Sequence, residues 1–105
     1  MKNLVSTLLP VVLWAGAATA MAATDYNDPP AGDKQYAMCV KTSNKDYTGG
    51  NAQSPVRGQT KAEAYCTCLW NETAEDFQGS LSKYAESLQG RRIKKICEKH
   101  ADWEG

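Results

Sequence analysis

The stretch AYCTCLW, Ala64–Trp70, sets two cysteines one residue apart in a run with no helix breaker. Residues two apart on an α-helix point about 200° away from each other. Cys66 and Cys68 therefore cannot bridge each other unless the helix opens, and AEAYCTCLWNE contains neither the glycine nor the proline that would open it. The other two cysteines, Cys39 and Cys97, flank this run in the sequence. The pattern predicts a central helix whose sulfurs diverge, one tied to a segment before it and one to a segment after it.

The compartment supports covalent ties. Lys2 is followed by the apolar run 4–14, then by the small residues AGAATAMAA, within which Ala20-Met21-Ala22 fits a signal-peptidase site. Residues 1–22 read as a signal peptide, and the protein is expected to be periplasmic or secreted. What remains, about 80 residues, is enough for one domain and too little for a large core. An even number of cysteines in a small exported chain reads as a disulfide framework. Antiparallel packing of the first two helices would bring Cys39 nearer in height to Cys66 than to Cys68. That favours Cys39–Cys66 with Cys68–Cys97, while spacing alone leaves the crossed pairing open.

Two other roles compete for the same residues. A redox dithiol at Cys66-Thr67-Cys68 would need a helix N-terminus or a nearby cation to lower its thiol pKa. These cysteines stand mid-helix among Tyr65, Leu69 and Trp70 instead. A structural zinc site commonly uses paired knuckles in tight loops, whereas here the only histidine is His100. Structural bridges are the favoured reading, and no metal or cofactor is expected. Thiol-redox or metal handling through Cys66-Thr67-Cys68 is the alternative.

The rest of the chain reads as all-α, a bundle of three to four short helices stapled by two disulfides. Paired prolines and turn formers make 23–32 an extended leader that joins no helix, so 33–105 is the domain. Asp33 is a good N-cap for a first helix reaching about Ser43, with Tyr36, Cys39 and Val40 on one face. Residues 44–58 are rich in turn formers, lack an apolar period and read as a long loop. Thr60 and Glu63 form a capping-box pattern for the second helix. Thr73 and Asp76 predict a third helix striped by Phe77, Leu81, Tyr84, Ala85 and Leu88 and ended by Gly90. Arg91 to Trp103 is the last, with Ile93, Ile96, Cys97 and His100 on one side.

Function is written more faintly. The net charge is zero, so no nucleic-acid partner is expected, nor membrane contact once the signal is removed. No motif brings a nucleophile, a base and an orienting group together, and His100 reads as a partly buried helix histidine. The acids Glu72, Glu75 and Asp76 suit a helix start better than catalysis. The chain is therefore expected to be no enzyme but a binding module for a macromolecule, such as an inhibitor, immunity or accessory protein. Its partner-binding residues are expected to be Tyr47 and Arg57 in the long loop and Arg91, Arg92 and Lys95 on the basic last helix. Trp70 and Trp103 read as packing residues, with Trp103 near the end of the chain open to solvent.

Overall fold

The computed structural model describes residues 26–104. The signal peptide expected at 1–22, and the first part of the leader, lie outside the described residues. The described residues form four helices, α1 (Lys34–Asp46), α2 (Lys61–Glu72), α3 (Leu81–Glu86) and α4 (Arg91–Ala101). The sole strand-like pairing among them is an isolated bridge between Gln53 and Thr60.

Helix α2 is the axis of the bundle. The expected capping box is present: the Thr60 side chain accepts from the Glu63 amide, and the Glu63 carboxylate accepts from the Thr60 amide. Seven of its twelve residues, including Tyr65, both cysteines and Leu69, are buried, which requires neighbours on more than one side. The divergent sulfurs supply them. Cys66 bridges to Cys39 of α1 and Cys68 to Cys97 of α4, with Cα separations of 5.9 and 5.5 Å. Close approach is possible because the helices meet through small residues: Ala62, Ala64, Ala85 and Ala101 are all fully buried. Leu69 and Leu81 are the largest side chains that solvent does not reach.

Helix α1 starts at the expected Asp33 cap, whose carboxylate accepts from the Tyr36 amide. It continues to Asp46 rather than stopping near Ser43. Asn44, Lys45 and Asp46 tolerate a helix; the turn begins where Gly49 takes a positive φ of 83°. The rest of the segment read as a long loop has no regular structure but is folded back on itself. The Ala62 amide donates to the Gly50 carbonyl, Lys61 to Ala52 and Ser54 to Gln59. The Gln53 amide group donates to three carbonyls of the turn. Ser54, Val56 and Gln59 are buried, so the connector plugs the N-terminal end of α2.

Helix α3 departs most from expectation. Thr73 does not cap it, since the hydroxyl donates back to the Trp70 carbonyl. The helix begins only at Leu81, capped by Ser80. Gly79 explains the delay: its φ of +127° is closed to residues with a side chain and breaks any earlier helix. Gln35 holds this irregular stretch by donating to the Phe77 and Gly79 carbonyls. Phe77 still packs on Tyr84, with ring centroids 5.2 Å apart. The helix ends at Glu86, so Leu88 falls outside it and is 79% exposed instead of completing the stripe. Gly90 does not end α3 either. It caps α4, at a point where an added Cβ would collide with the Tyr84 carbonyl.

Helix α4 stops at Ala101, and left-handed Asp102 turns the chain back. Trp103 is thereby buried, contrary to the exposed position expected near the terminus. Its indole N–H donates to the Thr48 carbonyl at 2.8 Å. Trp70, in contrast, stands at the surface. The leader joins no helix, but its described part is anchored rather than extended. The Tyr26 carbonyl accepts from Gln59, its hydroxyl donates to Glu72, and its ring packs 4.8 Å from that of His100.

The bridges span 27 and 29 residues, so each removes about 3.5 kcal/mol of chain entropy from the unfolded state. That is a large share of the roughly 5–15 kcal/mol that holds a small domain together. Replacing Cys68 and Cys97 together by alanine is expected to lower the unfolding free energy in guanidinium titrations by about 3.5 kcal/mol. The Cys39/Cys66 pair should lose a similar amount. Losses below about 1 kcal/mol for both would mean that noncovalent packing holds the bundle alone.

Candidate functional site

Helix α3 has six residues and α1 has thirteen, so α3 covers only part of its neighbour. The uncovered length is a groove of about 530 Å³. Met38, Thr42 and Asp46 line it from α1, at the i, i+4, i+8 spacing that puts them on one stripe. Ser82, Lys83 and Glu86 line it from α3, and Tyr65 of α2 and Ser43 stand in its wall.

The groove is backed by an aromatic stack. Trp103 meets the Tyr47 ring edge-on at 5.9 Å and the Tyr65 ring edge-on at 5.7 Å, the arrangement favoured by the ring quadrupoles. Burial pushes the Tyr65 phenol well above its usual pKa, so it stays neutral and presents a ring and a hydroxyl. Behind the floor, Ser43 Oγ lies 3.9 Å from Cys39 Sγ and 3.7 Å from Cys66 Sγ. One disulfide thus sits directly under the groove and fixes it.

One rim carries a charged network. The Glu86 carboxylate accepts from the Tyr47 hydroxyl at 2.6 Å and from Lys94 Nζ at 2.8 Å. Lys94 also stands 5.8 Å from the centre of the Tyr47 ring. The hydrogen bond to Glu86 raises the Tyr47 and Lys94 pKa values, and the same bonds hold the Glu86 carboxyl below its usual range. Glu86 is exposed and Tyr47 and Lys94 are only partly buried, so the network remains open to solvent screening and adds little stability. Its effect is to hold Tyr47 upright as a wall and to join α4 to the groove.

The residues expected to bind a partner are not gathered in one place. Tyr47 lines the groove. Arg91 is close enough to Glu86 to help keep it ionised, which puts it near the same rim. Arg92 and Lys95 are exposed on α4. Arg57 stands exposed on the 52–60 turn, a connector that meets α4 at its far end, where Trp103 packs on Thr48 and Gly49. Arg91 begins a helix of eleven residues, about 15 Å from that end. Met38, Tyr65 and Glu86 do not stand out in the sequence as binding residues, and Lys94 reads there only as part of the basic face of the last helix. Met38 lies beside the apolar stripe of α1 rather than in it, and Tyr47 and Glu86 are 39 residues apart, beyond any local pattern.

The cysteines offer no dithiol. All four are bridged and at most 1% exposed, so the Cys66-Thr67-Cys68 alternative has no thiolate to present. A second hollow of about 520 Å³ lies beside Trp70 and is otherwise lined by polar residues and Ala74. Among the described residues, no group of three or more metal-ligating side chains converges. Comparison with family models, with curated proteins and with solved structures gives no match.

His100 is half-buried, as expected, and packs at a tilt against the ring of Tyr26. Its Nε2 is buried without a hydrogen-bond partner among the described residues, so a proton added there meets no acceptor. Burial accordingly lowers its pKa from 6.5. As pH falls, the unfolded chain takes up this proton first. The stability of the Tyr26–His100 contact is therefore complete above pH 6.5 and is lost as pH falls through 6.5 toward the lower folded value. The thermal midpoint should begin to drop as pH falls below 6.5, above the range of ordinary carboxylates. His100→Gln should flatten that drop; an identical pH profile in the variant would assign it to another group.

Proposed function

We propose that this chain is an exported, non-enzymatic binding module that docks a protein partner through the groove between α1 and α3. The observation that carries this reading is the combination of an open hollow of about 530 Å³ with a rigid aromatic backing. Pockets of this volume with apolar walls and a few placed polar groups are the usual form of recognition sites. The lining chemistry is a thioether, two tyrosine rings, several hydroxyls, two carboxylates and one ammonium. Such groups recognise a side chain by packing and hydrogen bonding. Met38 is 54% exposed at the edge, and a methionine is well suited to close over an apolar anchor of irregular shape. The two bridges and the signal-like N-terminus support export into an oxidising compartment.

Burial of one apolar anchor is worth roughly 1.5–3 kcal/mol, or about tenfold or more in affinity. Peptides selected on the immobilised domain should therefore share a large apolar residue. Met38→Asp, which adds a charge at the edge, and Thr42→Trp, which fills the hollow, should each weaken those peptides at least about tenfold. Circular dichroism would confirm that both variants are folded. Selected peptides that bind both variants as tightly as the parent would rule the groove out.

A further inference from the structure

Five of the eleven residues of α4 are cationic and one, Glu98, is anionic. The helix therefore carries four net positive charges in a chain whose net charge is zero. Arg91, Arg92, Lys95, Ile96 and Lys99 are all exposed and, at 100° per residue, fill one continuous arc about 140° wide. No acid lies within the arc. The four cations make no ion pair or side-chain hydrogen bond among the described residues, whereas Lys94, outside the arc, is committed to Glu86.

This arrangement opposes helix formation. Arg91–Lys95 and Lys95–Lys99 are like-charge pairs four apart, and each disfavours the helix. Arg91 and Arg92 stand in the first turn, where the helix dipole repels cations, and α4 has no acid there and no side-chain cap. Arg91 acts on the charge of Glu86 and Lys99 suits the last turn of the helix, but the arc enters no ion pair among the described residues, and Cys97 and Ala101 are the residues that α4 buries. Local rules broken without structural return mark a surface kept for a partner.

We propose that this arc is an electrostatic docking surface for a carboxylate-rich segment of a protein partner. The inference rests on the reading of the domain as a binding module, but not on the groove. Two adjacent arginines suit it, because a guanidinium pairs bidentately with a carboxylate. An interfacial membrane helix would instead turn a broad apolar face outward. The apolar side of α4 is spent on the core, leaving Ile96 in the arc and Leu88 just before the helix as the exposed apolar groups. A nucleic acid favours a domain that is basic overall, and here the charges outside α4 balance it to zero.

The test uses three probes with the mature protein: an oligoglutamate peptide, a short DNA duplex, and vesicles containing phosphatidylglycerol. Oligoglutamate should bind, and its affinity should fall at least about tenfold as salt rises from about 50 to about 500 mM and the screening length shrinks from about 14 to about 4 Å. Lys95→Glu with Lys99→Glu should weaken binding at least about tenfold. Lys34→Glu with Lys41→Glu, at exposed positions of α1, makes the same change in total charge and should cost less than about twofold. Met38→Asp should leave oligoglutamate binding intact, which separates this surface from the groove. Equal losses in the two double variants would reduce the effect to bulk charge. Tighter binding to vesicles or to the duplex, or no oligoglutamate binding at low salt, would overturn the proposal.

Discussion

The angular geometry of a single helix governs this molecule. Because side chains two apart on α2 diverge by about 200°, Cys66 and Cys68 must find partners on different sides, and α1 and α4 are held there by sulfur. A helix flanked in this way is buried along most of its length, which is why Thr67 between the cysteines is also fully buried. The covalent ties substitute for a core that the chain is too small to build. Alanines and half-cystines fill the helix contacts, and leucine contributes two of the large buried side chains. Small residues bring the backbones close, and short Cα separations are what disulfides require.

The surface follows from the same frame. With α1 fixed by one bridge and α4 by the other, α3 packs into the space left among α1, α2 and α4. Gly79 delays its start through its backbone angle, and Gly90, the cap of α4, lies against the Tyr84 carbonyl too closely for a Cβ. A helix confined to six residues cannot cover one of thirteen, and the groove is what remains. Its two tyrosines are backed by Trp103, which reaches them because left-handed Asp102 reverses the chain after α4.

What could be read in the sequence was whatever depends on local angle and local capping. The divergence of Cys66 and Cys68, the Asp33 cap and the Thr60–Glu63 box are short-range, and all three are present. Antiparallel height favoured the observed pairing of the sulfurs but left the crossed one open. The reading failed where a non-local contact decided. Thr73 looked like a cap, but the Trp70 carbonyl takes its hydroxyl. The 44–58 segment is a loop from Tyr47 on, as read, but its internal backbone bonds at Gly50, Ala52 and Gln59 are not encoded in side-chain periodicity. Trp103 packs, as its type suggests, but its burial is not legible locally because its partner, Thr48, lies 55 residues earlier. The groove escaped for the same reason: it is assembled from the ends and edges of three helices.

The two bridges also divide the molecule's surface between them. The sulfurs of Cys39 and Cys66 flank Ser43, a residue of the groove wall, so this bridge fixes the relation of α1 to α2 at the hollow. Cys97 points into the bundle on the side of α4 directly opposite the basic arc. The Cys68–Cys97 bond therefore holds down a helix that its own charges destabilise. An isolated helix of this length, with cations in its first turn and like charges four apart, would be marginal in water. Fastening its inner face covalently frees its outer face from any duty to stabilise the fold. The paired cysteines of α2 thus do more than close two loops: they allow side chains to stand where local energetics alone would not have put them.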